Sequence, residues 1–350
     1  MTRGRPPLTI EDLLASPDHY LFAFDGDNAL FAAMDREAYH RSIFLDRRIS
    51  PAAPETVAVP IASLAPLADD SAAAEGPGWI FHVAHCGSTL LARGLDLPER
   101  SLVLREPLAL RQLALERAQS QAATGDWGMR LRLVASLAGR RYRSDAPAIV
   151  KGNVPVNFIA ADLLGLQPTA PAIFLYFPFR AYLLAILRSP HHRNWVLNVT
   201  GQMQPALVEW AGEVDGLGPA ERAAALWLAQ MRLFADAIAR FPGARSLDAD
   251  ALFDAPRQTL AAAAAHLGIA AAPEELDAMV AGDLFATYSK VPTERFSNAD
   301  RLQVQAETLR RLGPEMDAAR RWLDRRMASR PLPLRLDRPL TSASPFLIDG

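Results

Sequence analysis

The chain has 350 residues, half of them apolar, and a formal charge of −2. That is enough to bury a sizeable core, and the charge balance excludes a protein whose main task is gripping bulk nucleic acid. A single cysteine, Cys86, rules out an internal disulfide and a multi-cysteine zinc site.

The N-terminal stretch lacks the apolar core of a secretion signal, and no apolar run is long enough to span a bilayer. With one cysteine, this fits a reducing compartment, and a cytoplasmic location is expected. In chain order, residues 1–50 read as a small N-terminal unit in which Thr9 caps a first helix with Asp12 as its capping-box partner. Asp25, Asp27 and Glu37 lack the Gly and Glu spacing of a calcium loop and read as a solvated acidic turn. Residues 51–78, rich in Pro and Ala, read as a linker. Residues 79–330 form the main domain and 331–350 a tail.

Within the main domain, short apolar segments alternate with helical stretches. Strands are predicted at 79–83, 102–105, 148–151, 172–176 and 244–247. Helices are predicted between them, with a long one at 219–241. Nearly all-apolar strands separated by helices predict an α/β fold, a three-layer arrangement in which a parallel sheet is covered on both faces. Residues 306–330 predict an amphipathic helical C-terminal extension, interrupted at Gly313-Pro314. In such sheets ligands bind at the carboxyl ends of the strands, so the polar residues there are the ones to weigh.

The first strand runs into His85-Cys86-Gly87-Ser88-Thr89-Leu90-Leu91, a small-residue turn opening a helix. Such a P-loop-like turn aims free backbone N–H groups at one point and suits a phosphate or sulfate. A Walker A loop would need Gly where His82 stands and Lys where Ser88 stands, which counts against an ordinary ATPase or kinase. Glu106 follows the second strand as a candidate base or, alternatively, an ion-pair partner or helix cap. Lys151 follows the third strand as a phosphate ligand or a surface lysine. Lys290 and Arg295 lie in a late basic loop that either clamps an anion or is merely solvated. Residues His191 to Trp195 line an acceptor pocket or anchor a loop. Cys86 reads as a small turn residue rather than a nucleophile.

The turn resembles the phosphosulfate-binding loop of sulfotransferases, in which a basic residue, a small residue, Gly and two Ser/Thr residues open a helix. Ser246 to Ile269, with Asp248, Pro256 and Leu267-Gly268, is similar to a late strand, acidic turn and helix of that family. Tyr288 to Pro292 resembles its donor-closing segment. The resemblance implies a sulfuryl transfer from the nucleotide donor PAPS to a hydroxyl or amine of a small metabolite, glycan or peptide, without a metal. It implies that Cys86, Gly87, Ser88, Thr89 and Leu90 cradle the donor. His85 would stand by the leaving phosphate unless it only satisfies the turn. The family's 3′-phosphate Arg and Ser align with Phe177 and Ala185, a departure from the pattern. Arg180 matches a second Arg, and a shifted register would use Arg180 with Arg188 or Ser189 instead. A P-loop phosphotransferase, or a binding protein that has lost donor chemistry, remain the alternatives.

Overall fold

The computed structural model describes residues 9–69, 76–120, 125–341 and 344–348. Ten strands are present among them: β1 His19–Asp25, β2 Asn28–Ala33, β3 Thr56–Pro60, β4 Gly78–His82, β5 Leu102–Arg105, β6 Ala148–Lys151, β7 Ala172–Tyr176, β8 Ala244–Asp248, β9 Thr287–Tyr288 and β10 Val291–Arg295. The core is a parallel sheet in the order β5-β6-β4-β7-β8. Every residue of β4, β5, β6 and β7 is buried. Burial on both faces requires continuous apolar strands rather than alternating ones, which is why these segments stand out in the sequence. The protein is thus an α/β fold with a central parallel sheet flanked by helices.

The chain leaves β4 toward β5 on one side and leaves β7 toward β8 on the other. That divergence opens a crevice at the carboxyl ends of β4 and β7. The helix Pro219–Arg240, with an apolar face that includes the fully buried Trp227 and Phe234, packs behind it. The Trp227 indole N–H donates to the Phe177 carbonyl at 2.9 Å, fixing the backbone just past β7. Asn157 does the same for β4. Its amide donates to the His82 carbonyl at 2.9 Å and to Gln230 Oε1 at 2.7 Å.

The N-terminal segment forms an antiparallel sheet, β1-β2-β3. The Thr9–Asp12 capping box is present. The stretch expected to be a linker is regular over 56–69. It contributes β3 and the helix Ile61–Asp69, while its residues 70–75 lie outside those described. Val57 and Val59 pair with β2, so local β propensity prevails over the Pro- and Ala-rich composition.

The C-terminal helix departs from expectation. It runs unbroken from Asn298 to Met327 through Pro314, and starts earlier than predicted behind a Ser297–Asp300 capping box. Burial of Leu312, Ala319, Trp322 and Leu323 offsets the hydrogen bond that Pro314 removes, which costs about 3 kcal/mol. Beyond it, residues Arg338 and Leu340 hydrogen-bond to Ser246 and cover the exposed edge of β8.

Candidate functional site

The turn after β4 is conformationally unusual. Ala84, His85 and Gly87 all have positive φ, at 67°, 50° and 79°. Two of the three are not glycine, and each such residue costs about 1–2 kcal/mol. Strain of this kind survives only where the surroundings enforce it. Here His82 does so: its Nδ1 accepts from the Ala84 N–H at 3.0 Å and its Nε2–H donates to the Gly152 carbonyl at 2.9 Å. Both contacts suit a neutral ring, and burial beside Lys151 and Lys290 holds the His82 pKa well below the usual histidine value. Among the described residues, the backbone N–H groups of His85, Cys86 and Gly87 donate to no backbone carbonyl. The Thr89 hydroxyl, on a residue 2% exposed, has no partner either.

His85, Gly87 and Thr89 border a cavity that is open to solvent. His85, Gly87, Ser88, Thr89 and Leu90 form one wall. Aromatic rings form another: Phe177, Phe253, Phe285, Tyr288 and Phe296. Gly87 is needed sterically as well as conformationally, because a Cβ there would lie 2.8 Å from the Phe253 ring.

The charge of the cavity is one-sided. Among the described residues, Arg188, Lys290 and Arg301 line it and no carboxylate does. Arg301 is committed to Asp250 at 2.7 Å and stacks on Phe253. Among the described residues, neither Lys290 nor Arg188 has an ion-pair partner, and the Lys290 ammonium makes no hydrogen bond. Among the described residues the Arg188 guanidinium donates only to neutral groups, the Tyr288 hydroxyl at 3.1 Å and His192 Nε2 at 3.0 Å. Burial lowers the Lys290 pKa, opposed by the nearby Glu106 carboxylate. The same cations act on the histidines. His85 lies 4.3 Å from the His192 ring and 5.6 Å from Trp195, centre to centre. Burial, then Lys290, keeps His85 well below the ordinary value, and burial with Arg188 brings His192 down to about 4. Both rings are neutral near pH 7. Cys86 is buried behind the turn and burial pushes its thiol up to about 11, so it carries no thiolate.

Glu106 sits at the end of β5 with φ of 59° and forms an ion pair with Lys151, itself 1% exposed. Burial lowers the Lys151 pKa in spite of that pair. The Glu106 side chain keeps 16% exposure and so remains reachable. Lys151 therefore serves Glu106 and does not line the cavity.

Of the other residues singled out in the sequence, Arg180 is exposed on the helix Phe179–Ile186 and Arg295 is exposed on β10, and neither lines the cavity. Ser189 caps the helix Pro190–Gln202, with its hydroxyl 2.6 Å from His192 Nδ1. Phe177 and Ala185 do line the cavity, together with Leu184, so that wall is apolar. Phe253, Phe285, Phe296 and Arg301 went unnoticed in the sequence. They reach the turn only through tertiary packing, and no local spacing marks them.

No protein-family model matches the chain. No curated protein matches it. Among solved structures, it is similar to a sulfotransferase domain from the curacin biosynthetic pathway, with a TM-score of 0.36 and 14% identity, covering 73% of this chain and 99% of that one.

Proposed function

We propose that the protein is a sulfotransferase-like enzyme that moves a sulfuryl group from a nucleotide phosphosulfate to a hydroxyl or amine. One observation carries the reading: among the described residues, a cavity with aromatic walls is lined by three cations and no carboxylate, and two of those cations, Lys290 and Arg188, have no ion-pair partner there. An unpaired, largely buried ammonium is costly unless an anion completes it. The flat apolar rings suit a purine base, and the strained turn with its free N–H groups suits the adjoining phosphate.

The residues fit PAPS at its 5′ end. Lys290, the turn amides and the Thr89 hydroxyl would hold the phosphosulfate. They fit the 3′-phosphate less well, because Phe177, Leu184 and Ala185 offer it no hydrogen bond, leaving Arg188 and Arg301 as the cations within the cavity. The bound donor supplies the sulfuryl group and a phosphate leaving group. Glu106, held in place by its ion pair with Lys151, takes the proton of the acceptor hydroxyl as the new S–O bond forms. Lys290 and the turn amides meet the charge that develops on the bridging phosphate oxygen as the old S–O bond breaks. His85, neutral, donates one hydrogen bond there and no full charge.

A P-loop phosphotransferase is the competing enzyme class. The test is a calorimetric titration with PAP, the desulfated donor product, beside ATP with magnesium. Saturable PAP binding that weakens at least tenfold in Thr89→Val supports the reading. ATP binding that requires magnesium, with no response to PAP, would replace it. Glu106→Gln should keep PAP affinity and lose at least a hundredfold in sulfuryl transfer, the scale of general-base catalysis.

A further inference from the structure

The N-terminal segment reaches the site through one loop. The Leu45 N–H donates to the Arg105 carbonyl at 2.7 Å, and the Leu108 N–H donates to the Leu45 carbonyl at 3.3 Å. The turn that carries Glu106 is thus bracketed by residue 45. A buried lock fixes this arrangement. The Arg105 guanidinium, 1% exposed, pairs with Asp96 at 2.8 Å and donates to the carbonyls of Tyr39, His40 and Ser42.

The loop places Phe44 and Arg48 beside Glu106 and Lys151. The Arg48 guanidinium lies 3.8 Å from the centre of the Phe44 ring, and the Lys151 ammonium lies 5.7 Å from it. From the helix that follows Glu106 comes Arg111. The only hydrogen bond of its guanidinium among the described residues goes to the neutral Gln202 Oε1, at 2.6 Å. The Glu106 carboxylate favours the charged form of four nearby cations: Lys151, Lys290, Arg48 and Arg111. The one further carboxylate in the group, Asp46, is held by Arg48 at 2.5 Å. With Lys151 paired to Glu106 and Arg48 paired to Asp46, positive charge remains in surplus on Lys290 and Arg111.

We propose that this surface is the acceptor site and that its acceptor is a small organic acid, whose hydroxyl or amine meets Glu106 while its carboxylate is received by Arg111. The inference rests on the group-transfer reading above. A guanidinium with an amide oxygen as its sole partner has donors to spare, and its planar fork matches a carboxylate in two parallel hydrogen bonds. A neutral acceptor would leave those donors unused. A cationic one would meet repulsion from Arg111, Arg48 and Lys290. The exposed Arg48 guanidinium, stacked on the buried Phe44 ring, offers a flat face beside the bound molecule, so an aromatic hydroxy acid is a suitable probe.

The test uses three ligands of one shape: 4-hydroxyphenylacetate, its methyl ester and tyramine. Each is titrated into the full chain by calorimetry, with PAP titrated into the same preparations. The acid should bind at least tenfold more tightly than the ester, and tyramine should bind weakest. Arg111→Gln should erase the gap between acid and ester and leave PAP affinity unchanged. Arg48→Gln, at a more exposed position that tolerates change, should narrow the gap. Equal binding of acid and ester, or a gap that survives Arg111→Gln, would overturn the proposal. The PAP titration reports separately on the nucleotide reading, because the comparison of acid with ester needs no donor.

Discussion

Replacing Lys290 with Met separates a ligand-binding role from a structural one, because the two predict opposite signs for stability. Met retains the length and apolar stem of Lys and removes the charge. In the free protein the ammonium is largely buried, has no ion pair among the described residues, and has its pKa lowered by burial. A base whose pKa is lower in the folded than in the unfolded chain destabilises the fold wherever the unfolded chain is protonated, here below about pH 10.5. The Lys290→Met protein should therefore melt at a higher temperature at neutral pH, by about 2 °C for each ~1 kcal/mol recovered. The difference should vanish above about pH 10.5, where both states of the lysine are neutral. PAP binding should move the other way. One charge-assisted hydrogen bond contributes about 1.5–3 kcal/mol, so its loss weakens binding about 10- to 150-fold. Saturating PAP should then reverse the stability order of the two proteins, since only the wild type gains fully from the ligand. Differential scanning calorimetry with and without PAP reads both effects. A variant that melts lower than wild type, or binds PAP equally well, would refute the assignment of Lys290 as the anion's partner.

Acid should destabilise the protein through His82, His85 and His192, all held below the ordinary histidine pKa. As pH falls below about 6.5 the unfolded chain takes up protons that the native rings refuse, costing up to about 1.4 kcal/mol per pH unit for each ring. The His192 contribution stops growing near its folded value of about 4, and a melting temperature that is flat from pH 7 to 5 would contradict this. Gly87→Ala puts a side chain at φ of 79° and 2.8 Å from the Phe253 ring. It should cost about 1–2 kcal/mol in backbone strain alone and weaken PAP binding as Phe253 is displaced. Unchanged affinity would remove Phe253 from the ligand wall. Arg105→Met strips Asp96, 4% exposed, of its guanidinium and leaves it only His40 at 3.2 Å. Loss of one partner from a buried pair costs about 3–5 kcal/mol. Hydrogen exchange at the Leu45 amide should accelerate with it, and full retained protection there would show that Arg105 does not hold the loop.

What the sequence revealed of this molecule follows the range of the forces involved. β5 and β6 are apolar up to their closing residues, Arg105 and Lys151, and β7 is apolar up to Tyr176, because burial on both faces favours continuous apolar runs and leaves charge to the strand ends. The turn at 84–89 was visible because free N–H groups and small residues are a local requirement. Pro314 misled for the converse reason. Its effect on a helix is local, while the burial of Trp322 and Leu323 that carries the helix past it depends on the rest of the fold. The candidate site divides along the same line. Glu106, Lys151 and Lys290 could be singled out because they follow strands or sit in a late basic loop. Arg180 and Arg295 shared those local marks and ended on the surface.

The aromatic wall had no local mark at all, and neither did the charge imbalance. That a lysine is unpaired is a statement about every carboxylate within reach, and these come from segments far apart in the chain. Asp250 neutralises Arg301, Asp96 neutralises Arg105 and Glu106 neutralises Lys151, each across a tertiary contact. Once those pairs are assigned, Lys290 and Arg188 remain at the cavity and Arg111 remains near Glu106. A fold that pairs its buried charges elsewhere leaves these three without an ion pair among the described residues. Burying Lys290 without one is a cost to the free protein that only a ligand offsets. On the proposed reading the leftover cations divide between two ligands: Lys290 and Arg188 would meet the donor's phosphates, and Arg111 would meet the acid of the acceptor.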